Sequence, residues 1–565
     1  MSAISRLPSS PLFSGSRAAE ANLSYEKSVR LSLLRAKAIV VSYAFNVEDI
    51  ENTTAPFWEM HVDPIMLVDG GAATFATIQV NLAAGTLSMY LKTQPYLRQQ
   101  IQQILRFDVL AHYCLTEVGH GLDVINLETV AVALPGGGFD LHTPTDSAAK
   151  MMPPTSPSGI PSLAVVFARL LCEGVDCGIR PFVVRISDGQ NTMPGVKTKL
   201  LPPRGASTPV NHSLTYFNHV FLEESALLGQ KGPLSGGADV YRLNFLHVIW
   251  RAATGALALG SMGIPALKRA AYIAGRYSQH RKVGPRDGAT AIISFRTQYT
   301  PVLVALAQAE VLTEFWKVVT RRFSDTTLDS RIRHAYAAIG KAIFIHHAQC
   351  ANMDLSERLG ARGLLQVNDI VLQHGTLRGI AIAEGDLLGL SIRLTSELLL
   401  GRYTLPTSSN PSSLLARHEV GLLAECKKIM ERTDHHRGNL VNRFILPRCE
   451  AVVRAIGHRM AYDAAVSAGL DSRIIALYEA AAVKLDSAWY ILGAGYPLSA
   501  QLADEDKALE DALPCLDQWL ADTEVERYAQ SLEVLRVPRI PLRRDCDSVG
   551  LWELVSFCLP YVSHL

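Results

Sequence analysis

The chain has 565 residues, with 54 Lys+Arg against 53 Asp+Glu, and is 48% hydrophobic and 19% charged. A net charge of +1 argues against a general nucleic-acid binder or a polybasic membrane-surface protein, and the apolar share excludes a disordered or fibrous chain. Nine cysteines without a Cys-x-x-Cys pair predict reduced thiols in an intracellular compartment. No apolar run reaches the roughly 18 residues of a membrane span; the best window, Asn244 to Ile264, is interrupted by His247 and Arg251.

Residues 1–22, broken by Pro8 and Pro11, are expected to form a flexible N-terminal arm. From Tyr25 to about Val109, apolar residues recur three and four apart, as in Leu31, Leu34, Ala38 and Val41, which predicts an N-terminal α-helical domain over 23–110. Twelve prolines fall between Pro135 and Pro233 and none between Val302 and Leu405, so a sheet-and-loop region precedes a helical one. The central β domain is placed at 111–232. Within it, Thr129–Leu134 and Phe139–His142 read as a hairpin around Gly136, Gly137 and Gly138. No helix start or Lys-Ser/Thr follows these glycines, so the turn faces solvent rather than a phosphate. Ser162–Leu171, Ile179–Ile186 and Ser213–Leu222 supply further strands. Helical domain I is expected over 233–405. A Pro-Thr-Ser-Ser-Asn-Pro-Ser-Ser stretch at 406–413 then leads into helical domain II, 406–565. No internal repeat and no metal-ligand spacing occurs; His346-His347 and His435-His436 are adjacent pairs, which a helix points about 100° apart.

Two stretches carry chemical content. Tyr113-Cys114-Leu115-Thr116-Glu117-Val118-Gly119-His120-Gly121 opens the β domain, with small residues that let backbone N–H groups approach a ligand. Further on stand His142-Thr143-Pro144 and Ala148-Ala149-Lys150-Met151-Met152-Pro153-Pro154-Thr155, then Arg276-Tyr277-Ser278-Gln279-His280-Arg281, Phe295-Arg296-Thr297-Gln298, and finally Ala383-Glu384-Gly385-Asp386.

In this order the segments resemble the acyl-CoA oxidase branch of the acyl-CoA dehydrogenase superfamily, whose T-E-x-G-H-G motif is followed by L-E-T, here Leu127-Glu128-Thr129. The likeness runs from about Thr116 to Leu400. It implies an α+β, mostly α fold: an N-terminal helical domain, a central β-barrel-like domain, a C-terminal helical bundle and a second C-terminal helical domain. It implies FAD, bound by Thr116, Gly119, Gly121, Lys150, Met151, Met152 and Thr155, with Arg281 and Gln298 reaching the pyrophosphate, often of a neighbouring subunit. It makes Glu384 the catalytic base and Gly385 part of the substrate site. The implied reaction is α,β-desaturation of an acyl-CoA to the trans-2-enoyl-CoA, O₂ being reduced to H₂O₂ by a homodimer. Ser563-His564-Leu565 fits a peroxisomal import tripeptide. Met151 and Met152 replace an aromatic residue, Leu387 replaces an asparagine, and Ala361-Arg362 interrupts a Gly-Gly-His-Gly segment. These departures leave two further readings, a desaturase of an unusual acyl thioester in a specialised pathway and a non-catalytic scaffold subunit.

Overall fold

Ser24 accepts a hydrogen bond from the Lys27 N–H at 3.3 Å and so caps the first long helix, α1, Tyr25–Tyr43, which ends where Ala44 turns left-handed. The computed structural model describes residues 3–529 apart from 16, 206, 234–237, 286, 287 and 434, so Ser563-His564-Leu565 lies outside the described residues. Helix α1 buries Val29, Leu33, Ala36, Ile39 and Val40. The expected stripe is therefore rotated: Leu31, Leu34 and Ala38 are half-buried and Val41 is exposed. The cause is polar. Ser32 and Arg35 also turn inward, where the Ser32 hydroxyl donates to Asp69 at 2.9 Å and the Arg35 guanidinium binds Asp69 at 3.0 Å and Glu20 at 2.5 Å. A charge enters a core only when paired in this way.

The same arginine corrects the expected flexible arm. Its Nε donates to the Leu12 carbonyl at 2.9 Å and its guanidinium lies 5.6 Å from the ring centre of Phe13, which is fully buried. The segment Leu7–Ser9 packs against Glu526–Tyr528, near the other end of the described chain.

Helix α2, Gly70–Thr77, runs directly into a π-helical stretch, Ile78–Ala84, and a further turn, Gly85–Ser88. The extra residue in such a turn re-aims side chains and recurs at functional sites. After α3, Leu97–Leu105, the strands begin.

Strand β1, Leu110–Cys114, leads a six-stranded sheet completed by β2 (Val130–Ala133), β3 (Phe139–His142), β5 (Ser162–Cys172), β6 (Val175–Ser187) and β9 (Val220–Leu222). Its order is β1-β5-β2-β3-β9, with β6 also paired to β5. A three-stranded sheet, ordered β4-β8-β7, joins Lys150–Met151, Ser213–Phe217 and Val196–Leu200. The expected hairpin is present, with β2 antiparallel to β3. Its turn needs glycine: Gly138 has φ 78°, and a Cβ there would lie 2.4 Å from the Leu222 carbonyl.

Helices α4 (Trp250–Ser261), α5 (Gly263–His280), α6 (Arg296–Ser324) and α7 (Ser330–Arg358) form a bundle, followed by α8 (Ile370–Ile382) and α9 (Leu387–Leu399). Small residues set the spacing: a Cβ on Gly260 of α4 would lie 2.7 Å from Lys341 Cα of α7. Beyond the 406–413 stretch, α10 (Leu414–Met430), α11 (Cys449–Ala468), α12 (Ser472–Lys484) and α13 (Leu498–Ala512) continue the same apolar core, so that stretch marks no break in it. The sheet keeps a core of its own around Phe139, Phe182 and Phe217. His347 and His458 meet inside the helical layer at 3.2 Å, one ring nitrogen to the other, as packing residues. Among the described residues no group of three or more metal-binding side chains occurs, and no helix is long and apolar enough to cross a membrane.

Candidate active site

Helix α8 ends at Ile382 and α9 starts at Leu387, where the Asp386 carboxylate accepts from the Gly389 N–H at 2.8 Å. Between them the chain reverses through Glu384 at φ 56° and Gly385 at φ 98°. Left-handed backbone is costly for a glutamate, and such outliers concentrate at functional sites. The Glu384 N–H meets no acceptor among the described residues.

The side chain of Glu384 reaches into a niche built by three distant segments. Its Oε2 accepts from the Asn81 amide, in the π-helical stretch, at 3.2 Å. The same amide donates to the Arg251 carbonyl at 3.0 Å, and Arg251 Nε returns a bond to the Asn81 carbonyl at 3.2 Å. The floor of the niche is Gly255 of α4, where a Cβ would fall 1.2 Å from Glu384 Oε2. The ammonium of Lys341, in α7, is buried and donates to the carbonyls of Ala383 and Gly385, each at 2.5 Å. Although Glu384 as a residue is only half-buried, its carboxyl is desolvated, which pushes its pKa up to about 8 against the opposing pull of Lys341, Arg251 and the Asn81 hydrogen bond. Burial pulls Lys341 down to about 8 and Arg251 to about 10. Tyr113, at the end of β1, is pushed well above its usual value by burial and by the Glu384 charge. Strand β1 therefore links the Glu384 niche to the loop that begins at Thr116.

In that loop the structure separates two kinds of residue. The Thr116 carbonyl accepts from the Met151 N–H at 2.9 Å, and the Gly119 N–H donates to the Ser147 carbonyl at 2.8 Å. Met151 is exposed and Met152 half-buried, while nothing lies within 4 Å of where a Cβ on Gly121 would be. Lys150 and Thr155 instead face inward. Lys150 Nζ, with no exposed side-chain surface, binds Glu117 at 2.8 Å and the Phe167 and Leu115 carbonyls at 2.7 and 3.2 Å. The Thr155 hydroxyl meets that of Thr215 at 2.7 Å, fully buried. Glu117 in turn accepts from Glu128 N–H at 2.7 Å and Thr129 N–H at 2.9 Å, so the Thr-Glu and Leu-Glu-Thr motifs are two sides of one buried ion-pair network. Lys150→Met strands the Glu117 carboxylate in the core. The expected loss is about 3–5 kcal/mol of stability, read as a lower denaturant midpoint, and Glu117→Gln on top of it recovers part of the loss.

Arg281 and Gln298 occupy the end of α5 and the start of α6, tied together by a 2.8 Å bond from Ile292 N–H to the Arg281 carbonyl. Arg281 is exposed, and Gln298 Oε1 and the Ser278 hydroxyl are buried without a partner among the described residues. An exposed guanidinium and buried polar atoms without a partner among the described residues fit a diphosphate, and exposed Met151 with the open space at Gly121 fits a planar ring system, so the donor set suits a flavin dinucleotide. Helices make most of the contacts of α5 and α6, with the short strand Thr290–Ala291 also against α5. Within one chain Tyr113, three residues before Thr116, feels the Glu384 charge. The Gly360–Leu364 turn approaches the end of α5, Arg362 lying 5.8 Å from the Tyr277 ring centre.

Asn81, Arg251, Gly255 and Lys341 were not singled out by sequence as site residues. The available signal was a lone cation in an apolar run: Arg251 interrupts the Asn244–Ile264 window, and Lys341 stands in Ala-Ala-Ile-Gly-Lys-Ala-Ile-Phe.

A mostly helical chain with this central sheet, and a glutamate turn near the end of β1, has the fold of solved acyl-CoA oxidase structures. Among the proteins it is similar to are acyl-CoA oxidases. Human peroxisomal acyl-coenzyme A oxidase 3 is 26% identical over 427 residues, covering 70% of this chain and 59% of the relative. Arabidopsis thaliana acyl-CoA oxidase 1 superposes with a TM-score of 0.74 at 18% identity, over 94% of this chain and 88% of the other. A Caenorhabditis elegans acyl-CoA oxidase-2, bound with FAD, ascaroside-CoA and ATP, superposes with a TM-score of 0.67 at 15% identity, over 97% of each chain. In sequence, then, the chain aligns with about three-fifths of the human relative's length. No protein-family model matches it.

Proposed function

We propose that the protein is an FAD-dependent acyl-CoA oxidase in which Glu384 removes the α-proton of an acyl-CoA. The observation that carries this reading is the Glu384 carboxyl itself, held in a dry niche at a left-handed turn and raised to a pKa of about 8, as a base working on a weakly acidic carbon requires. Desolvation makes its carboxylate a stronger proton acceptor, and Asn81 fixes one oxygen so that the other is free to face the substrate. The Glu384 N–H, free of protein acceptors among the described residues, serves as a donor to the thioester oxygen as charge builds on it. Bound FAD supplies the redox chemistry, accepting the β-hydride and delivering two electrons to O₂ to give H₂O₂.

In this reading Thr116, Gly119, Gly121, Met151 and Met152 hold the flavin end of the cofactor. Lys150 and Thr155 shape the loop from behind. Arg281 and Gln298 bind a diphosphate, and the exposure of Arg281 supports a homodimer in which it completes the neighbouring subunit's cofactor site. The relatives named peroxisomal support a peroxisomal location.

The test is the visible spectrum of the purified protein before and after anaerobic addition of an acyl-CoA. Flavin bands that bleach, followed on aeration by one H₂O₂ per enoyl-CoA, are the expected result. A protein that takes up no flavin when FAD is supplied overturns the reading.

A further inference from the structure

The carbonyls of Ala383 and Gly385 converge on one point because the chain reverses between them, at Glu384 and Gly385. Two carbonyl dipoles aimed at one point repel unless a donor sits there. Lys341 Nζ occupies that point and makes both bonds, with no exposed surface and with no carboxylate hydrogen-bonded to it among the described residues. Its backbone is pinned in turn against Gly260 of α4, the helix that also supplies the Gly255 floor under the Glu384 carboxylate. The groups that face this carboxylate are Lys341 from α7, Arg251 from α4, Asn81 from the π-helical stretch and Tyr113 from β1, with Asp386 on its own turn facing Lys341. Arg251 donates to the carbonyls of Asn81 and Ile50, away from the turn, whereas Lys341 is the cation hydrogen-bonded to the glutamate's own turn.

We propose that Lys341 is a positioning residue for Glu384: by tying together the carbonyls on either side it holds the left-handed turn, and its charge favours the ionised carboxylate that accepts a proton. The role rests on Glu384 being the base, but Lys341's action on the carboxyl is measurable without turnover. A neutral side chain in its place loses both effects; a neutral donor loses only the second.

The experiment uses the FAD-loaded enzyme and infrared difference titration, following the protonated-carboxyl band that Glu384→Gln removes. In Lys341→Met the midpoint of that band moves up by about one pH unit or more, kcat falls by about 10²-fold with KM little changed, and the rising limb of the pH–rate profile moves up with the band. Lys341→Gln keeps two N–H donors, so it shows the same displaced midpoint with kcat largely restored at high pH. Wild-type midpoint and profile in both variants overturn the proposal. Should Lys341→Met not fold, an unmoved midpoint in Lys341→Gln alone overturns it. Retained turnover in Glu384→Gln overturns the base reading and leaves the band titration to decide on Lys341 independently.

Discussion

Glu384→Gln lowers turnover by about 10²- to 10⁴-fold while flavin content and visible spectrum stay those of the unaltered enzyme. The amide keeps the shape and the Asn81 neighbour of the carboxylate but cannot take a proton, so binding survives and bleaching by acyl-CoA is lost. The unaltered enzyme adds a second reading of the same residue. The base works ionised, and desolvation raises its pKa to about 8. Hence kcat/KM rises with pH through that value and falls about tenfold per pH unit below it. A flat profile from pH 6 to 9 contradicts this assignment.

Gly255→Ala is expected to separate stability from activity. At an interior helical position alanine is favoured over glycine by about 1 kcal/mol, so α4 by itself gains. Yet the added methyl would sit 1.2 Å from Glu384 Oε2 and 2.4 Å from Asn81 Nδ2, so the carboxylate must leave its niche. Displacement of a reacting group by about 1 Å costs on the order of 10²-fold in rate. The expected outcome is a folded, flavin-binding protein with kcat/KM reduced at least that far, measured beside its thermal melt. Full activity would mean that the carboxylate does not use the niche.

Local patterns were legible in the sequence where a short segment decides them. The β2–β3 hairpin, the helical layers and the Thr-Glu-x-Gly-His-Gly and Glu-Gly-Asp segments follow from turn chemistry, periodicity and motif. The buried face of α1 was not legible, because Ser32 and Arg35 turn inward to an aspartate 37 and 34 residues away. Motif likeness assigned Lys150 and Thr155 to the cofactor, whereas their side chains are consumed by Glu117 and Thr215. A pattern records that a residue is required, not which way it points. The niche residues Asn81, Arg251, Gly255 and Lys341 come from three helical segments, Asn81 lying 170 residues before Arg251 and Gly255 lying 86 before Lys341, and no spacing rule connects them. A cation alone in an apolar helix is the clue that the sequence holds, at Arg251 and at Lys341, and such a cation by itself argues only against a membrane span.

The meeting of Leu7–Ser9 with Glu526–Tyr528 bears on the order in which the molecule can be made. Arg269, buried in α5, donates to the Tyr528 carbonyl at 3.0 Å and to the Leu67 carbonyl at 3.1 Å, so the N-terminal layer is fastened partly by some of the last described residues. During synthesis that layer emerges well before Val525 and waits for more than four hundred further residues before these contacts exist. Nascent chains and products cut short before Val525 therefore expose apolar surface of that layer, and chaperones that bind there are occupied until the Glu526–Tyr528 segment has emerged.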